Sequence, residues 1–267
     1  MSEKKIGFIG GGNIAQAIIG GLLETGFSRD RITVADPSKA QGTIIEQLGV
    51  TWTTDNLKAV GPADLIFLCV KPGLAQPVCE ALAGSLNQKC LISVAAGVTT
   101  LQLKQWSQSS LVIRCMPNTP ALVRSGMLGL FADPSVDPSI REAVVECLTS
   151  VGITEWFERE ADLDAVTAIS GSGPAYFFYL METMITAAEK MGLSHTTATT
   201  LVTQTALGAA RMAHQNHQSP GILRQQVTSP GGTTQAACEA LSQGGFEMLV
   251  IEACEAAKVR SETLSGT

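Results

Sequence analysis

Aromatic side chains make up only 5% of the 267 residues and charged ones only 16%. With 18 Lys and Arg against 24 Asp and Glu, the net charge is −6, and the basic residues form no cluster. The basic footprint of a nucleic-acid partner is therefore missing, as is a basic helix that would lie on a membrane surface. Uninterrupted apolar runs stay short of the roughly 18 residues that a membrane-spanning helix needs. Lys4 and Lys5 ahead of a glycine-rich apolar stretch give the outline of a signal peptide, but Asn13, Gln16 and Glu24 interrupt it, and a strand, turn and helix account for it better. The seven cysteines (69, 79, 90, 115, 147, 238 and 254) contain no C-x-x-C pair and lie mostly in apolar segments. An odd, scattered set of this kind fits a reducing compartment, so a cytoplasmic location is expected. Of the three histidines, His214 and His217 are three apart, but His217 lies within a polar stretch, 215–221, that reads as a solvated loop; no metal site is expected.

What is present is a long alternation. Between residue 5 and about residue 160, apolar β-type runs at 5–9, 31–35, 64–70, 90–94, 111–115, 127–131 and 152–157 alternate with helical patterns. Beyond Asp162 the strand-like runs stop, and 175–191, 196–215 and 235–260 read as helices rich in Ala, Leu and Met. The expected fold is α/β: a Rossmann-like doubly wound sheet over residues 1–162, followed by an all-helical domain over 163–267. The helix after Pro174 carries Tyr176, Phe177, Phe178, Tyr179, Leu180, Met181, Met184 and Ile185, apolar nearly all round. Such a helix needs cover on most sides, either from the N-terminal domain or from a second copy of the chain; the short helical domain can hardly bury it alone, so dimerisation is predicted.

Two glycine-rich segments carry the chemistry. In Gly10-Gly11-Gly12-Asn13-Ile14-Ala15 an apolar strand turns straight into a helix, the arrangement that seats a pyrophosphate on a helix N-terminus. Gly10 makes the turn, Gly12 admits the phosphate, and Asn13 and Ile14 open the helix. The next strand delivers Asp36, the acidic residue that by the general rule takes a ribose hydroxyl. Ligands of an open α/β sheet lie beyond the carboxyl ends of its strands, which directs attention to Val70-Lys71-Pro72, Ala95-Ala96-Gly97 and Asn118. There small residues admit a flat ring, and Asn118 offers hydrogen bonds to a carboxamide or a ribose. The second segment, Ser229-Pro230-Gly231-Gly232-Thr233-Thr234, sets two glycines and several hydroxyls before a helical run; it is either a capped helix start or an anion cup for a carboxylate or phosphate.

Gly10-x-Gly12 with Asn13, Val70-Lys71-Pro72, Met116-Pro117-Asn118-Thr119-Pro120, Asp164-Ala165-Val166-Thr167 with Ser170-Gly171-Ser172-Gly173-Pro174-Ala175, and Ser229 to Thr234 stand in the order found in pyrroline-5-carboxylate reductases. The chain resembles that family from about residue 4 to about residue 264. The resemblance implies NAD(P)H-dependent reduction of Δ1-pyrroline-5-carboxylate to L-proline, the last step of proline biosynthesis, by a homodimer or an assembly of dimers with its active site near the subunit interface. It implies that Ser229, Gly231, Gly232, Thr233 and Thr234 bind the substrate, with Thr234 as the catalytic hydroxyl that hydrogen-bonds the ring nitrogen. NADPH is the cofactor it favours, with NADH also open, because Asp36 opposes a 2′-phosphate; Pro37 turning the carboxylate away, with Ser38, Lys39 and Asn56 as phosphate partners, would reconcile the two. The rivals are a β-hydroxyacid dehydrogenase and a non-catalytic dinucleotide sensor. The former needs a lysine and an asparagine where this chain has Phe177 and Leu180, and the latter has no use for a second anion cup.

Overall fold

A computed structural model describes residues 4–215 and 218–265. Two compact units make up the chain: Met1–Ser172 together with Ala257–Thr267, and Gly173–Ala256. This division differs from the 162/163 boundary read from the sequence, and a buried hydrogen bond within the first unit accounts for part of the difference. Asp164, which stands just past that boundary, accepts from Ser261 Oγ at 2.6 Å, which ties the last helix to this unit.

The first unit is built on eight strands, β1 (Ile6–Ile9), β2 (Ile32–Ala35), β3 (Thr51–Thr53), β4 (Leu65–Leu68), β5 (Cys90–Ser93), β6 (Val112–Met116), β7 (Gly126–Ala132) and β8 (Gly152–Trp156). Their order is β3-β2-β1-β4-β5-β6-β7-β8, parallel from β3 to β6, with β7 antiparallel to β6 and β8 parallel to β7. Every residue of β1, β4 and β5 is buried, as expected of a sheet covered on both faces. Successive side chains point to opposite faces and so feed two separate cores. Ile6, Phe8, Leu65, Phe67, Cys90 and Ile92 meet α1 (Asn13–Glu24) and α6 (Pro138–Leu148), with Phe8 and Phe67 stacked at 5.0 Å. Ile9, Ile66, Leu68 and Leu91 meet α3 (Asn56–Val60), α4 (Pro72–Ala81) and α5 (Thr100–Ser107). Strand β3 escapes the sequence reading because it is a three-residue edge strand, Thr-Trp-Thr, with no buried residue. Between β2 and β3 lies α2 (Lys39–Gln47), capped by the Ser38 hydroxyl.

At the far end of this unit lies α7 (Asp162–Val166). It is followed by a wide turn at Thr167–Gly171, closed by the Ser172 N–H donating to Thr167 O at 2.8 Å.

The second unit is helical: α8 (Gly173–Lys190), α9 (His195–Gln215), α10 (Pro220–Gln226), α11 (Thr233–Gln243) and most of α12 (Phe246–Ser265). Two expectations change here. The run 235–260 is two helices, because Gly245 takes a φ of +78° and ends the first. The polar stretch 215–221 is not wholly loop: Gln215 closes α9, and the Ser219 hydroxyl caps α10 at Pro220. His217 lies outside the described residues. Phe177, Phe178 and Tyr179 are 65%, 62% and 72% exposed on the single chain, so the apolar face of α8 is left uncovered by the chain itself. Among the described residues no helix is long and apolar enough to cross a membrane.

Gly10 has a φ of +96°, and a Cβ there would stand 2.5 Å from the Cys69 carbonyl oxygen. Gly10→Ala is expected to lower stability by about 2–4 kcal/mol through backbone strain plus forced separation of β1 and β4. Urea unfolding checks this, and an unaltered midpoint would contradict it.

Candidate cofactor and substrate sites

The parallel register sets the strand ends level: Ile9 pairs with Ala35 and with Leu68, Ala35 with Thr53, and Leu68 with Ser93. The turns after β1, β2, β3, β4 and β5 therefore share one edge, and β1 beside β4 is where the strand order reverses, the place at which such sheets bind nucleotides. Gly10 N–H donates to Ala35 O at 2.8 Å and Cys69 N–H to Ile9 O at 2.7 Å, which locks the first turn between its neighbours. Gly12 differs from Gly10. Its backbone is ordinary, and a Cβ would meet nothing within 4 Å. The chain itself has no need of glycine there, and α1 starts without a side-chain cap. Open backbone before an uncapped helix N-terminus is the cradle a dinucleotide pyrophosphate fits. Asn13 and Ile14 open that helix, Asn13 exposed and Ile14 half-buried.

Asp36 is half-buried, and both of its carboxylate oxygens are engaged within the chain: Oδ2 accepts from Gly11 N–H at 2.7 Å and Oδ1 from Ser38 N–H at 2.8 Å. Gln16, noted in the sequence only as an interruption of an apolar run, holds the other side of Gly11. Its Nε2 donates to Gly11 O at 2.7 Å and to Gln41 Oε1 at 2.6 Å. Ser38 and Lys39 are exposed at the start of α2, and Asn56 opens α3 at the end of β3.

The remaining strand-end residues fall into two groups. Val70, Lys71 and Pro72 lead into α4, with Lys71 exposed and its helix start uncapped by any side chain; Ala95 and Ala96 line the end of β5. Gly97, by contrast, serves the chain's own packing, since at φ +70° its Cβ would stand 2.9 Å from Leu264 Cβ. Asn118 is likewise committed internally. Its Oδ1 accepts from Met127 N–H at 2.9 Å, and its Nδ2 donates to Ser170 O and Oγ, each at 3.2 Å. Ser170 O has no helical donor because Pro174, four residues on, lacks an N–H, and Asn118 supplies one. The side chain read from the sequence as a cofactor contact also tethers the wide helical turn.

In the second unit Gly231 has a φ of +69° and turns the chain into α11. Two donors expected in the anion cup are engaged within the chain: Gly231 N–H donates to Gln235 Oε1 at 2.7 Å and Gly232 N–H to Ser229 O at 3.0 Å. The first helical bond is Ala236 N–H to Gly232 O at 3.2 Å, which leaves the N–H groups of Thr233, Thr234 and Gln235 without an acceptor among the described residues. Thr234 is half-buried, Thr233 and Ser229 exposed. The cup is therefore shaped by its glycines and furnished by the residues after them. Gln235 was overlooked in the sequence, although a glutamine three residues past a helix cap is a known signal for a side chain that reaches back.

Sequence models of two families match: pyrroline-5-carboxylate reductase dimerisation over residues 160–264, and NADP oxidoreductase, coenzyme F420-dependent, over residues 5–97. The pyrroline-5-carboxylate reductase of Pseudomonas aeruginosa is 46% identical over 268 residues, covering 99% of this chain and 98% of that protein. The chain belongs to the pyrroline-5-carboxylate reductase family. The solved structure of a pyrroline-5-carboxylate reductase from Coxiella burnetii superposes with a TM-score of 0.94 at 42% identity, covering 100% of both chains. That of the Plasmodium falciparum pyrroline carboxylate reductase with NADP bound gives 0.89 at 30% identity, covering 99% of each.

The thiols of this reductase are badly placed for nucleophilic work, which requires a thiolate. Burial pushes Cys79 up to about 11 and Cys90 and Cys147 up to about 12, and carries Cys115 further in the same direction. Cys69 is half-buried as a residue, yet burial also drives its thiol up to about 12. Among the described residues no three His, Cys, Asp or Glu side chains gather as ligands for a metal. Brief treatment of the native protein with dithiobis-nitrobenzoate is expected to label at most Cys238 and Cys254, the half-buried cysteines other than Cys69, whose thiol burial keeps protonated. Rapid reaction of more, counted by released thionitrobenzoate, would contradict this burial.

Proposed function

We propose that the protein reduces Δ1-pyrroline-5-carboxylate to L-proline with NADPH. The observation that carries the reading is the pair of furnished glycine turns, an open one at the carboxyl edge of the sheet and a second leading into α11 with three free N–H donors. A cyclic imine bearing a carboxylate asks for one anion site and one hydride donor. When bound, NADPH supplies the hydride that adds to the imine carbon, and the C=N electron pair settles on the ring nitrogen, which already carries its proton. No strong acid is required at the site, so the protein's contribution is orientation and electrostatics.

Each residue then has a task. Gly10, Gly12, Asn13 and Ile14 receive the pyrophosphate. Asn56, with Ser38 and Lys39, takes the adenosine end, and Val70, Lys71, Pro72, Ala95 and Ala96 provide a flat, small-sided wall for the nicotinamide. Gly231 and Gly232 set the turn, while the N–H groups of Thr233, Thr234 and Gln235 and the hydroxyls of Ser229 and Thr233 hold the carboxylate. The Thr234 hydroxyl oxygen accepts the N–H of the protonated ring nitrogen. The uncovered aromatic face of α8 packs against a second copy of the chain, making a homodimer or an assembly of dimers. The enzyme works in the cytoplasm, where its free thiols stay reduced.

Nicotinamide absorbance under substrate is expected to fall rapidly with NADPH and more slowly with NADH. A folded protein that binds NADPH but oxidises it with no such substrate would leave a dinucleotide sensor as the better reading. Thr234→Ala is expected to slow turnover about 10- to 100-fold, the scale of one oriented hydrogen bond lost with some misplacement, and wild-type kinetics would remove Thr234 from the mechanism. Sedimentation at micromolar concentration is expected to show at least twice the 28.0 kDa of the chain, against which a monomer would count decisively.

A further inference from the structure

Three consecutive glycines, Gly10, Gly11 and Gly12, make the most permissive backbone a turn can have, and a permissive turn must be ordered before it can grip a phosphate. In this chain the middle glycine is held from both sides. Asp36 Oδ2 accepts its N–H at 2.7 Å and Gln16 Nε2 donates to its carbonyl at 2.7 Å, so neither peptide plane beside Gly11 can rotate without breaking a bond. The clamp is anchored in turn: Asp36 Oδ1 accepts from Ser38 N–H at the start of α2, the Asp36 carbonyl accepts from Trp52 Nε1 at 3.0 Å, and Gln16 is joined to Gln41 within α2.

We infer that Asp36 and Gln16 are positioning residues that pre-form the Gly10–Gly12 turn for either nicotinamide cofactor, and that Asp36 is not a selector between NADH and NADPH. The inference rests on the cofactor reading above. It reverses what the acidic residue at the end of a second strand ordinarily signifies. A carboxylate that reaches for the ribose hydroxyls helps NADH and repels the 2′-phosphate of NADPH; one committed to Gly11 and Ser38 acts on the pyrophosphate turn, which the two cofactors share.

Dissociation constants of NADPH and NADH, measured by fluorescence titration of the full chain without substrate, test the point. Asp36→Ala and Gln16→Leu are each expected to weaken both cofactors by the same factor, about 10-fold, the scale of stranding one partner of a half-buried hydrogen bond. Asp36→Asn keeps one acceptor and should fall between wild type and Asp36→Ala, again equally for both cofactors. At saturating NADPH the KM for pyrroline-5-carboxylate should not move. Tighter NADPH binding with weaker NADH binding in Asp36→Asn would overturn the inference in favour of a charge selector, and unchanged constants for both cofactors in Asp36→Ala would overturn it as well. Should Asp36→Ala fail to fold, Gln16→Leu, which alters no charge, decides the clamp and Asp36→Asn decides the selector. Because binding is read without turnover, paired losses in the variants of a protein whose wild type reduces no imine would break the proposed reaction and leave the clamp standing; a wild type that binds neither cofactor would break both.

Discussion

Everything at the carboxyl edge depends on strands that end level with one another. The bonds from Gly10 N–H to Ala35 O and from Cys69 N–H to Ile9 O extend the parallel ladder one residue past the strands, so the turn after β1 is wedged between β2 and β4 before any ligand arrives. A register shift of one residue would exchange the two sheet faces, sending Phe8 and Phe67 toward α3 and α4 and Ile66 and Leu68 toward α1. The two cores thus fix the register, the register fixes the edge, and the edge presents the glycines. Hydrophobic burial far from the chemistry is what places the backbone that does the binding.

The features legible in the sequence are those whose cause is local. The strand runs, the wide separation of a β-alternating half from a helical half, and the special positions Gly10 and Gly231 follow from side-chain periodicity and from glycine's freedom at positive φ. Illegible features are those whose cause lies far along the chain. Asn118 sits at a strand end and reads as a ligand contact, yet its partner is Ser170, and the vacancy it fills exists only because Pro174 cannot donate to that carbonyl. Gly97 reads as an opening for a ring, and a second demand on it, the close approach of Leu264 to where a Cβ would stand, comes from the far end of the chain. In both cases the partner within the chain stands far along it, beyond the reach of any local pattern.

The second unit shows the same division. The aromatic crowding of α8 is plain in the sequence, and its exposure on the single chain is the structural face of the same fact. The interior of the Ser229 to Thr234 turn was not plain. A glycine pair before a helix suggests two inward N–H donors, but backbone donors rarely wait unpaired, and here the turn's own carbonyl and the Gln235 amide take both. What remains free is dictated by helix geometry, since the first N–H groups of α11 have no residue before them in helical register to accept.

A shared logic joins the two glycine turns. Glycine lets a backbone come close to an anion, but the freedom that permits the approach also resists being fixed. In each turn a side chain from the following helix reaches back to hold it, Gln16 of α1 on the Gly11 carbonyl and Gln235 of α11 on the Gly231 N–H. Each glutamine is steadied by a further partner, Gln41 and Glu239. An uncharged amide suits this duty because it can grip donor and acceptor at once while adding no charge beside an anion. The permissive residues grant access, and the amides that follow them restore the order that binding would otherwise have to impose.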